Sequence, residues 1–246
     1  MIGLAFNKPQ IPVRGLKLYL NPADKTSYPE TGTTYTDITN NAYQGTLLNG
    51  TTWSETSGND RGKFYFDGAG DNIVFGDILD MGTDSVTMCA WIRPFATDNI
   101  NTHIMGKAQA GSFPVRYTMG ILNNTLKLRA IFIPQIGTTI SPYTTNNMTY
   151  NTFQLATMVF DRAGSIKIYF NDTEQSLTGA ADISAWSATD FQNSTTFRLA
   201  ALTNSTNTAG QSEFNGWLGE MFWYNRVLSQ TEITQIYNAT KSKYGY

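Results

Sequence analysis

The fold is decided by residues 210–246, which read GQSEFNGWLGEMFWYNRVLSQTEITQIYNATKSKYGY. Alternating side chains predict a strand over residues 213–224 that is apolar on both faces. One face is expected to carry Phe214, Leu218, Phe222 and Tyr224, and the other Trp217, Met221 and Trp223. A strand that is apolar on both faces is usually covered on both. We therefore expect this strand in the interior of a packed structure.

A helix is predicted directly after this strand, and its start is marked twice. Ser229 is a favourable N-cap residue, and Glu232 follows three positions later, which is the spacing of a capping box. Leu228 and Ile233 occupy the positions of a hydrophobic staple. The apolar stripe of the helix consists of Ile233, Ile236, Tyr237 and Thr240. The chain thus ends in a core strand and a short helix that must dock on the preceding residues.

The composition of the 246 residues favours strands joined by polar turns and excludes several partners. Only 15% of the residues are charged and the net charge is −2, so no basic surface suits a nucleic acid. Cys89 is the only cysteine, which excludes an intrachain disulfide. No segment is long and apolar enough for a membrane span. The first fifteen residues do not resemble a secretory signal, so we expect synthesis in the cytoplasm.

Strand-like segments recur about every ten residues, with turn residues between them. Residues 85–93 (SVTMCAWIR) and 153–160 (FQLATMVF) are the strongest of these segments. No linker or internal repeat divides the chain. The pattern predicts an all-β, two-sheet antiparallel sandwich over residues 16–246, preceded by an N-terminal arm of residues 1–15.

The order of five segments resembles the laminin-G-like, or concanavalin A-like, jelly-roll superfamily. The segments are FYFDGAGDNI, SVTMCAWIRP, HIMGK, FQLATMVFDRAGSIKIYFND and FNGWLGEMFWYNRVLSQTEITQIY. The most specific part is LSQTEI, residues 228–233, because the C-terminal helix of the family opens with Leu-Ser and an acidic residue. The resemblance covers nearly the whole chain and implies a jelly-roll sandwich with a short C-terminal helix.

The front of the chain is similar to the opening of such modules in virion proteins of tailed bacteriophages. The similar motifs are SYP, GTT, TD, GTL and NG, which begin at residues 27, 32, 36, 45 and 49. They imply a non-enzymatic virion surface protein, either a capsid decoration protein or a fibre or tail component, with a lectin-like module for host or environmental glycans. Its partners would be virion proteins and copies of itself, contacted through residues 1–15. The alternative is a free carbohydrate-binding or adhesion module outside a virion.

The sequence lacks the residue sets of the enzymes that share this fold. Glucanases of the superfamily carry Glu-x-Asp-x-Glu on one strand, and this triplet is missing here. Glu213 and Glu220 are the nearest strand acids, but their odd spacing puts them on opposite faces of a regular strand. His103, the only histidine, is expected to be an ordinary residue at a sheet edge and not part of a catalytic triad. We therefore predict no catalytic residues and no zinc site.

Calcium is the cofactor that the resemblance raises, because pentraxins and many laminin-G modules bind their ligands through it. The corresponding loops, residues 108–114 and 203–211, contain no acidic residue, so a pentraxin-type site is not expected. Asp67 and Asp71 flank a Gly-Ala-Gly turn. They either help to hold one calcium ion or stabilise the turn through Asx-type hydrogen bonds, and the sequence favours the turn.

Candidate ligand-binding residues are the aromatic ones that lie in predicted loops. Sugar recognition by a sandwich uses an aromatic platform together with polar side chains. Trp53, Tyr143 and Trp186 meet the first requirement. The alternative is that each of them closes an end of the sandwich, since no spacing shows that the three converge.

Overall fold

The computed structural model describes residues 10–55, 62–95, 101–111, 116–206 and 208–246. The strands in these ranges are β1 (Leu16–Leu20), β2 (Thr34–Thr36), β3 (Gln44–Leu48), β4 (Thr52–Ser54), β5 (Lys63–Asp67), β6 (Asn72–Gly76), β7 (Val86–Pro94), β8 (Thr102–Lys107), β9 (Arg116–Ile121), β10 (Leu128–Gln135), β11 (Thr138–Ile140), β12 (Tyr143–Thr144), β13 (Gln154–Phe160), β14 (Ile166–Phe170), β15 (Thr173–Glu174), β16 (Leu177–Thr178), β17 (Phe197–Leu199), β18 (Leu202–Thr203), β19 (Gly210–Gln211) and β20 (Asn215–Tyr224). Helix α1 spans Gln230–Thr240, and two 3₁₀ turns span Ser184–Trp186 and Lys241–Lys243. No helix in these ranges has the length and apolar character needed to cross a membrane.

Two antiparallel sheets form a sandwich. The eight-stranded sheet has the order β15-β14-β13-β7-β20-β5-β4, with β1 also pairing with β20. The ten-stranded sheet has the order β16-β12-β10-β9-β8-β17-β6-β3-β2, with β11 also pairing with β10. The chain passes between the sheets at both lateral edges, where β3 is followed by β4 and β15 by β16. The predicted all-β jelly-roll sandwich with a C-terminal helix is confirmed.

Strand β20 lies inside the eight-stranded sheet as predicted, but its two faces exchange halfway along. Its register against β7 shifts between Leu218 and Met221, which marks a β-bulge. The core between the sheets receives Phe214, Leu218, Met221 and Trp223, and the other face carries Phe222 and Tyr224. The predicted assignment of side chains to the two faces is therefore wrong, because the extra residue of a bulge reverses the alternation.

Helix α1 covers the outer face of the eight-stranded sheet. Ile233 and Ile236 are fully buried in a second apolar cluster, separate from the core between the sheets. Trp91 on β7 belongs to this cluster. Its Nε1 donates a hydrogen bond to Thr240 Oγ1 at 2.8 Å, and its ring stacks on Tyr244 at 4.3 Å between centroids. The sheet is therefore covered on both faces, which explains why β7 and β20 carry apolar side chains on both of their faces.

The start of α1 has the predicted capping box. The backbone N–H of Glu232 donates to Ser229 Oγ at 3.3 Å, and the Glu232 carboxylate accepts from the Ser229 N–H at 2.9 Å. Leu228 and Ile233 are both buried at the staple positions. Arg226 adds an ion pair that the sequence analysis missed, with Nη2 2.6 Å from Glu232 Oε1. This hydrogen bond lowers the pKa of Glu232 to about 2.

The described part of the predicted N-terminal arm, residues 10–15, packs against the C-terminal segment. For example, Tyr224 Oη donates to the carbonyl oxygen of Pro12 at 2.9 Å. Residues 1–9 lie outside the described residues. The division of the chain at residue 15 stays a prediction, and any truncation that spares the sandwich must keep residues 10–15.

Candidate ligand-binding site

A cleft with a volume of about 510 Å³ opens on the ten-stranded sheet, on the face directed away from the core. Strands β8, β9 and β10 form its floor. On β10 the residues alternate between the core and the cleft. The core side carries Leu128, Ala130 and Phe132, and the cleft side carries the half-buried Arg129, Ile131 and Ile133. Regular strand alternation therefore directs one arginine and two isoleucines into the cleft.

The pairing of the strands places a histidine and an arginine in one row across the cleft floor. His103 on β8 pairs with Gly120 on β9, and Gly120 pairs with Arg129 on β10. Since neighbouring strands lie about 4.8 Å apart, the backbones of His103 and Arg129 are roughly 10 Å apart. A Cβ atom on Gly120 would lie 2.3 Å from the carbonyl oxygen of Thr102. Glycine therefore keeps a third side chain out of this row.

His103 is buried and electrically neutral. Its Nδ1 lies 3.2 Å from Thr118 Oγ1, and that hydroxyl donates to the carbonyl oxygen of Met105 at 2.9 Å. The Thr118 hydroxyl has a second carbonyl acceptor in Met119 at 3.2 Å, and this network favours the tautomer in which Nδ1 carries the imidazole proton and donates to Thr118. Burial, aided by the charges of Arg129 and Arg116, lowers the pKa of His103 to about 3. The ring therefore offers Nε2 as a hydrogen-bond acceptor.

This environment contradicts the expectation for His103. The residue was predicted to be an ordinary one at a sheet edge, but β8 pairs with β9 on one side and β17 on the other. His103 is only 4% exposed. The prediction is wrong because the sequence of a short strand is similar at the edge of a sheet and in its interior. Only the pairing partners of the strand distinguish the two positions.

Arg116 and Arg129 give the cleft positive charge without a balancing carboxylate. Arg129 Nε donates to Ser141 Oγ at 2.6 Å, and Arg116 donates from Nη2 to the carbonyl oxygen of Gly111. Within the described part of the chain, neither guanidinium forms a salt bridge, and Arg116 Nε is buried without a hydrogen-bond partner. Burial lowers the pKa of both side chains. This is the direction expected for cations that lose water and gain no anion.

The rim of the cleft is polar, and its floor is partly apolar. Asn101 Oδ1 accepts from the backbone N–H of Asn123 at 3.1 Å, which joins two sides of the rim. Ile131 and Ile133 supply apolar surface on the floor. None of the described residues that line the cleft is Asp or Glu. The cleft can thus bind a polar or anionic ligand, but its described lining supplies no carboxylate for acid–base hydrolysis.

None of the three aromatic candidates lines the cleft, and Tyr143 alone is shown to border it, since it pairs with Arg129 across β10 and β12. Trp53 is on β4, at the edge formed by β3 and β4, and its Nε1 donates to the carbonyl oxygen of Pro22 at 2.9 Å. Tyr143 is on β12, beside β16 at the other lateral edge. Trp186 ends a 3₁₀ turn and packs half-buried against the core. Their predicted placement in loops is wrong for Trp53 and Tyr143, which belong to short edge strands, and the fold does not join the three into one platform.

Asp67 and Asp71 have the geometry of a turn. Asp71 accepts backbone N–H bonds from Gly50 at 2.7 Å and from Asp67 at 3.2 Å. Asp67 Oδ1 accepts from the N–H of Ala69 at 2.7 Å, two residues on, as in an Asx turn. Calcium needs converging oxygen ligands, whereas N–H donors converge here. The described residues also contain no group of three or more His, Cys, Asp or Glu side chains suited to a metal ion.

Glu213 and Glu220 do not form a catalytic pair. They lie seven positions apart, which corresponds to roughly 23 Å along an extended chain. Because of the bulge in β20, the odd spacing no longer places the two residues on opposite faces. The distance between them still excludes a catalytic pair. Glu220 is fully buried and accepts from Tyr19 Oη at 2.8 Å and Lys243 Nζ at 2.6 Å. It therefore acts as a structural anion between β20, β1 and the C-terminal turn.

The cleft residues were missed in the sequence analysis although a partial signal exists. Arg116 and Arg129 each alternate with apolar residues on strands that the sequence predicts. This pattern places both on the outer face of a sheet. It does not show that their strands are neighbours, nor that His103 lies on the next one.

A family model described as the concanavalin A-like lectin/glucanases superfamily matches residues 66–234, which is more than half of the chain. Comparison with curated proteins gives no match.

Several solved structures share the fold. The binding domain of Paraclostridial Mosquitocidal Protein 1 superposes with a TM-score of 0.68 at 13% identity, covering 92% of this chain and 52% of that one. Botulinum neurotoxin type C, described as entering cells through two ganglioside molecules, gives 0.64 at 13% identity, covering 92% and 51%. A mutant Trypanosoma rangeli sialidase gives 0.61 at 13% identity, covering 95% and 34%. The chain thus spans about half the length of the two toxin structures, and such low identities show similarity of fold alone.

Proposed function

The chain belongs to the concanavalin A-like lectin/glucanase superfamily, and we propose that it is a non-enzymatic, lectin-like module that binds glycans in the cleft on the ten-stranded sheet. The observation that carries the proposal is the lining of this cleft. Donors, acceptors and apolar surface converge there in the ligand-binding combination expected for a sugar ring, which has both hydroxyl groups and C–H faces. The side chains involved are Asn101, His103, Arg116, Asn123, Arg129, Ile131 and Ile133.

The residues that line the same cleft distinguish binding from catalysis. The similar toxin structures are binding domains by description, whereas one similar structure is a sialidase. A glycosidase of the usual type needs two carboxyl groups that flank the scissile bond. The described lining of the cleft contains no carboxyl group, and it also contains no tyrosine, the nucleophile that sialidases use instead, which favours binding without turnover.

The first experiment measures binding on a glycan array, followed by titration calorimetry with the best ligand. Ile131→Phe narrows the cleft without changing its charge and is expected to weaken binding at least tenfold. Trp53→Phe lies at the far lateral edge of the sandwich, outside the cleft, and serves as the control, with unchanged binding. Loss of binding in the Trp53 variant alone would move the site to that edge. No binding to any glycan by a folded protein would refute the proposed function.

Calcium is not expected to take part in this binding. The carboxylates of Asp67 and Asp71 already accept backbone N–H bonds. Adding a chelator should therefore leave the glycan affinity unchanged. A loss of affinity that added calcium restores would show that a calcium site exists after all.

We further propose that the module is displayed on the surface of a tailed-bacteriophage virion, as a capsid decoration protein or a fibre or tail component. The support is the similarity of residues 27–50 to the opening of modules in such virion proteins. In this setting the protein is made in the host cytoplasm. The alternative, a free carbohydrate-binding or adhesion module, has the same cleft and differs only in its setting. Mass spectrometry of purified particles distinguishes the two, because only a virion component copurifies in fixed stoichiometry.

In this proposal the N-terminal arm attaches the protein to the particle, by binding other virion proteins or further copies of the chain. Deleting residues 1–9 keeps the contacts of residues 10–15 with the sandwich, including the hydrogen bond from Tyr224 to Pro12. The truncated protein is expected to unfold at the same temperature as the full chain but to be missing from particles. Unchanged incorporation would refute the role of the arm.

A further inference from the structure

We propose that the cleft selects glycans that carry a carboxylate group, such as uronic or sialic acids, with Arg116 and Arg129 facing the carboxylate and His103 accepting a hydrogen bond from a hydroxyl of the sugar. This inference rests on the proposed glycan-binding function and specifies its ligand class. It depends on three features of the cleft: two unpaired guanidinium groups, a neutral buried imidazole and an apolar strip between them.

The unpaired guanidinium groups are the first feature. Elsewhere in the molecule buried cations are held from within the fold. Arg162 and Arg198 donate to neutral oxygens, and Lys107 Nζ lies 2.6 Å from its carboxylate partners Asp77 and Asp80. Arg116 and Arg129 are partly buried and lack such a partner among the described residues. A guanidinium group forms its strongest hydrogen bonds with carboxylate and other oxyanions, often in pairs. An anionic ligand would therefore supply the negative charge that this face of the sheet lacks.

The positions of the two arginines suit a ligand of sugar size. Arg116 pairs with Ile133 across β9 and β10, and Arg129 lies four residues from Ile133 along β10. The two arginine backbones are therefore roughly 14 Å apart, from the rise along a strand and the spacing between strands. Ile131 lies between them on the same face. A sugar whose C–H groups rest on Ile131 therefore lies between the two guanidinium groups, so that its carboxylate can face both.

The neutral imidazole favours the binding of sugar acids over that of simple anions. The Nδ1 proton of His103 is used toward Thr118, so Nε2 can only accept a hydrogen bond. A carboxylate or sulfate oxygen cannot donate one, whereas a sugar hydroxyl can. The cleft thus combines donors for a carboxylate with an acceptor for a neighbouring hydroxyl, and a sugar acid carries both groups.

The test compares matched acidic and neutral ligands. One pair is an oligosaccharide of alternating glucuronic acid and N-acetylglucosamine and its carboxyl-reduced form, which differ only in the charged group. The second pair is sialyllactose and lactose. Titration calorimetry with the wild-type protein is expected to give at least tenfold tighter binding for the acidic member of one pair or both. The difference should shrink as salt is raised, because screening weakens the interaction between charges.

The variants Arg116→Gln and Arg129→Gln remove the charge and keep side-chain amide donors. Each is expected to weaken binding of the acidic ligand about tenfold and to leave the neutral ligand within twofold. Arg129→Lys, which keeps the charge, should recover part of the loss. The control is Lys25→Gln, which changes the net charge equally at an exposed site outside the cleft and should alter neither affinity. Thermal unfolding checks that each variant is folded.

Different results of these experiments would overturn the selection for a carboxylate and the proposed glycan binding. Equal binding of acidic and neutral ligands would overturn the selection for a carboxylate and leave glycan binding in place. Equal binding of sulfated and carboxylated sugars would also overturn it, since charge alone would then explain the affinity. No binding of any ligand would overturn both proposals. Because the ligand pairs are compared on the wild-type protein, these outcomes do not depend on any variant folding.

Discussion

Acidification should destabilise the protein through its single histidine. In the folded chain His103 is buried beside two arginines, which lowers the pKa of the ring to about 3 from an ordinary value of 6.5. In the unfolded chain the ring titrates normally. Between these two pKa values the unfolded state binds more protons than the folded state, so stability rises with pH and is lost as the pH falls below about 6.5.

The size of this effect follows from the two pKa values. Linkage for one group with pKa values of 6.5 and about 3 predicts a loss of about 2.5 kcal/mol when the pH falls from about 7.5 to about 4.5. Other groups also titrate in this interval. The variant His103→Gln therefore serves as the reference, because it keeps a polar side chain and removes the titration.

Urea unfolding of both proteins across this pH interval measures the effect as the change in their difference in free energy of unfolding. NMR gives an independent reading, because an untagged chain has one histidine and its ring signals are unambiguous. Those signals should not shift between about pH 8 and pH 5. A ring titration midpoint near 6.5, or a pH-independent difference between the proteins, would refute a buried neutral His103 and with it the acceptor role in the cleft.

Three further predictions concern stability, and each is measured by urea unfolding. Ser229→Ala removes the N-cap hydrogen bond of α1 and should cost about 0.5–2 kcal/mol; a negligible loss would mean that the Arg226–Glu232 ion pair alone fixes the helix start. Arg226→Met removes the partner that lowers the pKa of Glu232 to about 2. The stability from this pair is present above about pH 4.5 and is lost as the pH falls toward 2, so the variant should lose less stability over that window than the wild-type protein; equal losses would contradict the assignment. Lys243→Met leaves the Glu220 carboxylate buried with one cation fewer and should cost about 2 kcal/mol. Adding Glu220→Gln should recover part of that cost, and an additive loss would show that the two side chains are not coupled.

The sequence was sufficient for the fold class and the C-terminal helix because both depend on local patterns. The capping box of Ser229 and Glu232 lies within four residues, and alternation along single strands identifies the sheets. The bulge in β20 was not predictable by the same reasoning. A bulge depends on how a strand pairs with β7, and Gly219 carries no side chain that would mark the change of face.

The candidate site was predictable only in part, since it is assembled from three strands. Alternation places Arg116 and Arg129 on an outer face, but the order of strands in the sheet decides that they share a cleft with His103. Aromatic side chains misled the prediction for a related reason. Trp53 and Tyr143 lie at opposite lateral edges of the sandwich, and the distance between them is set by the whole sheet order and not by local sequence.

The central claim is that glycans bind in the cleft formed by β8, β9 and β10. The most direct test is NMR mapping on isotopically labelled protein, with a glycan that binds in the array titrated into the sample. The account predicts the largest shift changes at residues 116–120 and 129–133 and in the ring signals of His103. Changes confined to the far lateral edge, around Trp53, would contradict it.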